Sequence, residues 1–204
     1  MLPEMHDKDV SIESVAEKAL QDEKLLSELL DGLKSKEETL RYNCFRVLLL
    51  ISQEHGTALY PKWDYFVEIM TGDNAYWKMS GLLLIASLTR VDTNNRFDKI
   101  FDLYYSLLGD KGTVVPAYVA ANSGKIARAK PYLQDKITDK LLNIDKVYPG
   151  KQSALIKGHA IEAFGEYFEE TGNKDKIVEF VRNQLNSDSP RTRKQAENFL
   201  NKWS

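Results

Sequence analysis

A pattern that recurs about every 38 residues is the feature that most constrains how this chain of 204 residues can fold. In each copy, a long side chain is followed at three-residue spacing by a small or apolar residue and then by two adjacent core positions. The leading positions 41, 76, 116, 157 and 193 are separated by 35, 40, 41 and 36 residues. A period of this length is typical of arrays in which each unit is a pair of helices that buries its apolar face against the next pair. We therefore expect a row of helical hairpins.

Apolar residues recur at helical spacing along most of the chain, and no stretch shows the alternation that strands require. Leu25, Leu29 and Leu33 form one such set. Glycine and proline fall between the periodic segments, where they end one helix or begin the next. In chain order, the predicted helices of the hairpins are Glu23–Ser35, Glu37–Glu54, Lys62–Met70, Asn74–Thr89, Arg96–Leu108, Val115–Ala129, Leu133–Asp145, Gln152–Glu169, Lys174–Asn186 and Pro190–Trp203, preceded by a cap helix at Ser11–Gln21.

The second helices of three hairpins resemble those of HEAT repeats. Residues 40–48, 156–165 and 192–200 each carry a basic residue, two spacers, a small residue, two spacers and a core pair. Tyr76 and Pro116 stand in the other two copies where a basic residue is usual. The resemblance implies an all-α, right-handed α-solenoid of about five HEAT-like (HEAT/armadillo-type) hairpins with an N-terminal cap helix.

The same resemblance implies how the chain is divided. Residues 1–10 are predicted to be a mobile N-terminus, because they contain a proline and show no periodicity. Residues 11–204 are predicted to form a single HEAT-like repeat domain. Its repeats are expected at about 22–56, 57–91, 92–130, 131–172 and 173–204.

Charge and cysteine content narrow the classes of function. Lysine and arginine number 28 against 30 aspartates and glutamates, and the resulting net charge of −2 disfavours a nucleic-acid binder. Cys44 is the single cysteine, so no intrachain disulfide can form, which suits a reducing cytoplasm. The longest apolar runs, Val47–Ile51 and Leu82–Ala86, are far shorter than the roughly 18 residues that span a membrane. A cytoplasmic protein outside the membrane is expected.

The residues offer little for catalysis. His6, His55 and His159 are isolated from one another in the sequence, so no metal site and no cofactor are expected. Cys44 fills the small core position of the first repeat, where a buried, unreactive thiol is the expected state. We therefore do not expect an enzyme.

The expected function is the binding of a protein or peptide partner. In stacked helical hairpins, the second helices line the concave surface, and their side chains that turn away from the core form a ridge across it. Tyr42 and Trp77 occupy equivalent positions beside this ridge and would be good anchors for a partner if exposed, or core residues if covered. The predicted partner-binding residues are Tyr42, Asn43, Arg46, Trp77, Lys78, Tyr118, Lys125, His159, Glu162 and Glu166.

Two alternatives remain open at this point. HEAT-like DNA glycosylases use tryptophan, aspartate and arginine on the concave face, and Trp77, Asp73 and Arg46 would be the candidates here. The acidic charge balance counts against that class and against nucleic-acid binding in general. The other alternative is a subunit of a larger assembly or a chaperone-like factor.

Overall fold

The described part of the chain is built from helices. A computed structural model describes residues 3–203, and within that range it contains α-helices and short 3-10 helices but no strand. This confirms the all-α prediction. The chain divides into two compact units, residues 1–93 and 94–204, and the division lies close to the predicted boundary between the second and third repeats. Over residues 3–203, none of the helices has the length and apolar character needed to cross a lipid bilayer.

Unit 1, residues 1–93, is organised around one long helix. Its α-helices are α1 (Ile12–Ala19), α2 (Glu23–Gly32), α3 (Glu38–Glu54), α4 (Gly56–Leu59), α5 (Trp63–Met70) and α6 (Ala75–Leu88), and its 3-10 helices are Pro3–His6, Tyr60–Lys62 and Thr89–Val91. The central helix α3 packs against α1, α2 and α6. Its predicted core positions are all fully buried: Cys44, Val47, Leu48 and Ile51.

Side-chain caps fix where several helices of unit 1 begin. Ser11 accepts a hydrogen bond from the backbone N–H of Ser14 at the start of α1 (3.2 Å). Asp22 caps α2, and Asn74 caps α6 by accepting from the N–H groups of Tyr76 and Trp77. Such caps satisfy backbone donors that have no partner inside the helix.

Helices α5 and α6 cross at Gly81. A Cβ atom at Gly81 would lie 2.7 Å from the backbone nitrogen of Met70 and 2.7 Å from the carbonyl oxygen of Phe66. Because both neighbours are backbone atoms, no side-chain rotation could make room for a methyl group. Trp63, at the start of α5, is also buried in the core, with 1% of its surface exposed.

Unit 2, residues 94–204, brings together the second helices of the last three predicted hairpins. Its α-helices are α7 (Arg96–Ser106), α8 (Val114–Ala129), α9 (Gln134–Leu142), α10 (Ile144–Val147), α11 (Ser153–Gly165), α12 (Lys174–Asn183) and α13 (Pro190–Trp203), and its 3-10 helices are Leu107–Gly109, Pro131–Leu133 and Gln184–Asn186. Helix α11 packs against both α8 and α13. Helix α11 is therefore a neighbour of each of the other two second helices.

The predicted helices correspond to observed ones, but four of them, α2, α9, α11 and α12, end three or four residues early. Helix α9 stops at Leu142 instead of reaching Asp145, because the Asn143 amide donates to the carbonyl of Asp139 (2.7 Å) and replaces the helical continuation. Helix α11 ends at Gly165 instead of Glu169, and the chain continues in tighter turns of the 3-10 type. The short helices α4 and α10 were not predicted as separate elements.

The N-terminal segment packs on α3. The sequence predicted a mobile segment at residues 1–10. Residues 1 and 2 lie outside the described part of the chain, so for them this stays a prediction. The 3-10 helix Pro3–His6 contacts α3, and the Met5 side chain is fully buried. The segment therefore contributes to the core of unit 1.

A buried lysine holds the start of α7. Asn95, immediately before α7, has φ 50° and is the only non-glycine residue with positive φ among residues 3–203. Its side-chain oxygen accepts hydrogen bonds from Lys130 Nζ (3.0 Å) and from the Tyr132 hydroxyl (3.2 Å). The Lys130 side chain is only 4% exposed, and its ammonium also lies 3.8 Å from the Asp98 carboxylate. Asparagine tolerates the left-handed conformation better than most residues.

Candidate functional site

Tyr42 and Arg46 form an exposed pair on α3. Because Cys44, Val47 and Leu48 point into the core, residues 42 and 46 face the opposite side of the helix. Tyr42 is 58% exposed. The Arg46 guanidinium carbon lies 5.8 Å from the centre of the Tyr42 ring, within the range of a cation–π contact. Tyr42 is thus available to a partner. An exposed ring is what the sequence analysis required for Tyr42 to act as an anchor.

This pair borders an open cleft of about 530 Å³. The cleft combines basic and acidic groups with one aromatic ring. Its lining residues are Lys8, Glu38, Thr39, Tyr42, Asn43 and Arg46. An open cleft with a few polar groups around an aromatic side chain suits a short peptide segment better than a deeply buried small molecule.

Asn43 is not part of the exposed surface. Its side chain is 2% exposed, and its amide donates to the carbonyl oxygens of Met5 (3.0 Å) and Asp7 (2.8 Å). The prediction placed Asn43 on the ridge beside Tyr42, but the N-terminal segment covers it. In this structure its amide is occupied by the chain itself.

A second exposed aromatic residue of unit 1 was missed by the sequence analysis. Tyr76, at the start of α6, is 57% exposed, and the Arg41 guanidinium carbon lies 4.8 Å from its ring centre. Arg41 is held in place by a hydrogen bond from Nη1 to the carbonyl of Ser35 (2.9 Å). The repeat frame contained a signal, since Tyr76 stands at the leading position that Arg41 occupies one repeat earlier. The predicted neighbours Trp77 and Lys78 are half-buried.

In unit 2, the predicted residues of α11 lie beside α13. The Glu162 carboxylate accepts from Arg191 Nη2 (3.3 Å) and from the side-chain amide of Gln195. Its other oxygen lies 3.1 Å from Nδ1 of His159 on the same helix. This spacing of three residues was visible in the sequence, where His159 was treated as isolated. The result is a polar network in which Glu162 is already engaged.

Glu166 immediately follows α11, at the end of that helix where it passes α8. A Cβ atom at Gly124 of α8 would lie 2.7 Å from the carboxyl carbon of Glu166, so the carboxylate occupies the space that the glycine leaves. Although Glu166 as a whole residue is exposed, partial burial of its carboxyl raises the pKa of that group, and the positive charges of Lys125 and Arg128 offset part of the rise. Of the other predicted residues here, Lys125 is exposed and Tyr118 is half-buried.

Unit 2 also carries a cleft of about 550 Å³ between α7 and α9. Its floor is apolar and includes Phe101, Leu108 and Val147. An ion pair of Lys140 Nζ with Asp102 Oδ1 (2.9 Å) stands at its rim. Sequence reasoning did not single out this surface, because its residues belong to first helices.

The groups considered for chemistry are tied to structural roles. No cluster of three or more histidine, cysteine, aspartate or glutamate side chains within residues 3–203 could hold a metal ion. Cys44 is fully buried as predicted, and burial raises the pKa of its thiol to about 12. Asp73, one of the glycosylase candidates, is exposed in the turn before α6.

The comparisons with known proteins bear on the fold. Neither protein-family models nor curated proteins give a match to the sequence. Among solved structures, the chain is similar to an engineered protein whose crystal structure comes from the Northeast Structural Genomics Consortium. The two are 15% identical with a TM-score of 0.54, over 95% of this chain and 92% of that chain. At this identity, the similarity shows the all-helical fold alone.

Proposed function

We propose that this chain is a HEAT-like helical-repeat protein that binds a protein or peptide partner and does not itself catalyse a reaction. The single observation that carries the proposal is Tyr42, an aromatic side chain that is 58% exposed at the edge of a cleft. Tyrosine and arginine are enriched among the residues that dominate binding energy at protein interfaces. The adjacent Arg46 supplies the second of these residue types.

The charges of unit 1 favour a particular kind of peptide. Arg46 and Lys8 line the cleft against a single acidic residue, Glu38, and Arg41 lies nearby over the Tyr76 ring. A segment with an acidic residue close to an apolar or aromatic residue would pair with the arginines and pack on the tyrosine ring. The buried, unpaired thiol of Cys44 suits a reducing compartment, for which we propose the cytoplasm.

Peptides selected against the purified chain would test the proposal. A phage-displayed peptide library would be selected on the immobilised protein, and the affinity of the selected peptides would be measured by fluorescence anisotropy. Tyr42→Ala and Arg46→Ala should each weaken binding about tenfold or more, which corresponds to at least about 1.4 kcal/mol.

Tyr132→Ala provides a matched control. Tyr132 is 59% exposed but does not line the cleft, so its removal should leave the affinity unchanged. Equal affinities of wild type, Tyr42→Ala and Arg46→Ala for every selected peptide would contradict the proposal. Release of free base from methylated DNA by the wild-type chain would instead support the glycosylase alternative.

A further inference from the structure

Asn43 binds a peptide backbone in this structure, and the peptide is part of the same chain. The side-chain amide donates one hydrogen bond to the carbonyl of Met5 (3.0 Å) and another to the carbonyl of Asp7 (2.8 Å). The two acceptors belong to residues two apart along the segment Pro3–Asp9, which we call the N-terminal strap. Because both acceptors are backbone atoms, these two hydrogen bonds do not depend on the identity of the side chains at positions 5 and 7.

One side chain of the strap is buried. Met5 is fully buried where the 3-10 helix Pro3–His6 packs on α3. The other described side chains of the strap, those of Glu4, His6, Asp7, Lys8 and Asp9, are exposed. The surface of α3 therefore recognises the strap through one unbranched apolar side chain and two carbonyl groups.

Two further contacts of the described strap residues are surface ion pairs. His6 Nδ1 lies 2.6 Å from Glu37 Oε2, with both side chains more than a third exposed. Glu4 Oε2 lies 3.8 Å from Lys18 Nζ of α1, and this pair is also exposed. Exposed pairs contribute little to stability, so the burial of Met5 and the two bonds of Asn43 carry most of the attachment.

The strap runs into the cleft beside Tyr42. Lys8 of the strap and Tyr42, Asn43 and Arg46 of α3 line the same space of about 530 Å³. A segment held by Asn43 and continuing along α3 would therefore cover both the Met5 position and the exposed tyrosine. The two halves of this surface, one occupied and one open, are continuous through Asn43.

We infer that the strap is an intramolecular occupant of a peptide groove on α3, and that a partner binds by displacing it with a segment that carries a methionine-like side chain in a similar 3-10 turn. The partner's carbonyl groups at that residue and two residues later accept from Asn43, as those of Met5 and Asp7 do. The inference rests on the proposed function, because it assigns the regulation of that same surface. It goes beyond the proposed function because it makes the affinity of this surface for a partner depend on whether the strap occupies the groove.

The test uses the full chain with the strap released and the groove left intact. Met5→Asp places a charge where the side chain must be buried, so the strap detaches from α3. The probe is a fluorescently labelled peptide with the wild-type sequence of residues 3–10. By anisotropy, it should bind the Met5→Asp chain at least tenfold more tightly than the wild-type chain, whose own strap competes at high effective concentration.

Two controls define the groove. The Met5→Asp, Asn43→Ala double variant should lose the binding again by at least tenfold. The same peptide carrying aspartate in place of Met5 should not bind either protein. Circular dichroism would verify that helix content is retained, and hydrogen exchange at Asp7, whose N–H donates to the Glu4 carbonyl, would verify release of the strap.

If Met5→Asp does not fold, hydrogen exchange in the full-length Asn43→Ala chain replaces it. The strap amides should then exchange more than tenfold faster than in the wild type while the helices of unit 1 stay protected, and unchanged exchange at Asp7 would overturn the inference.

Equal peptide affinity for wild type and a folded Met5→Asp chain, or no binding to either, would also overturn it. So would a wild-type mass that rises to a dimer with concentration and returns to a monomer in Met5→Asp, since the occupant would then be the strap of a second copy. Because the probe is the chain's own segment, these results are independent of whether library peptides bind at Tyr42.

Discussion

Replacing Gly81 by alanine should destabilise unit 1 by about 2 kcal/mol, although alanine is the better helix former. In an exposed helix, this substitution stabilises by about 1 kcal/mol, because glycine loses more backbone freedom on folding. Here the added Cβ would lie 2.7 Å from two backbone atoms of α5 and 2.8 Å from the Met70 Cβ atom. Ordinary contacts are about 3.5 Å, so α5 and α6 would have to separate by roughly 0.8 Å.

The magnitude follows from the two opposing terms. Overpacking that shifts backbone typically costs about 1–3 kcal/mol, and the upper end applies because the three contacted atoms are two backbone atoms and a Cβ, none of which can rotate away. Subtracting the helix-propensity gain of about 1 kcal/mol from about 3 kcal/mol leaves the expected loss of about 2 kcal/mol. The buried Trp63, at the start of α5, lies on one of the two helices that must move.

Urea denaturation followed by tryptophan fluorescence would measure this loss as a lower unfolding midpoint. Gly165→Ala is the matched control, because a Cβ at Gly165 meets no atom within 4 Å. That variant should be neutral or more stable by up to about 1 kcal/mol. A Gly81→Ala chain at least as stable as the wild type would refute the reasoning, since it would show that α5 and α6 do not cross in backbone contact.

Two further predictions follow from the shifted pKa values. Cys44 should not react with an aromatic disulfide reagent at pH 8 in the folded chain and should react fully in concentrated urea, because burial raises the pKa of its thiol from 9.0 to about 12. Prompt reaction in the native state would contradict the burial of Cys44. Glu166→Gln should be more stable than the wild type at pH 7, with the difference shrinking as the pH falls towards 4.5, because a raised pKa means that the folded state disfavours the ionised carboxyl. A stability difference that does not change with pH in urea titrations would contradict the desolvation of Glu166.

The helices and the core of α3 could be predicted because both depend on local spacing. The spacing of apolar residues and the glycines and prolines between the segments place ten helices. The repeating pattern also identifies Cys44 and Leu48 as buried, which the structure confirms. The early end of α9 was missed because it depends on the side chain of Asn143, whose amide competes for a backbone carbonyl. A hydrophobic pattern contains no information about that competition.

The candidate surface was predicted less well because exposure depends on distant parts of the chain. Asn43 lies on the correct side of α3 for an exposed ridge, but a segment 36 to 38 residues earlier in the sequence covers it. Among residues 4–9 of that segment, Met5 has the only buried side chain, so the segment gives no periodic signal. Tyr76 was missed for the related reason that its exposed ring is stacked under an arginine of another helix, Arg41.

The buried contact of Lys130 with Asn95 has a consequence for the order of folding. Lys130, which donates to the residue immediately before α7, is located 35 positions after it in the chain and beyond the end of α8. We expect the middle turns of α7 to form from local contacts, and its first turn to reach its final conformation only after Lys130 has packed beside Asn95. We therefore expect the beginning of α7 to gain protection from hydrogen exchange late during refolding, together with the connection between α8 and α9.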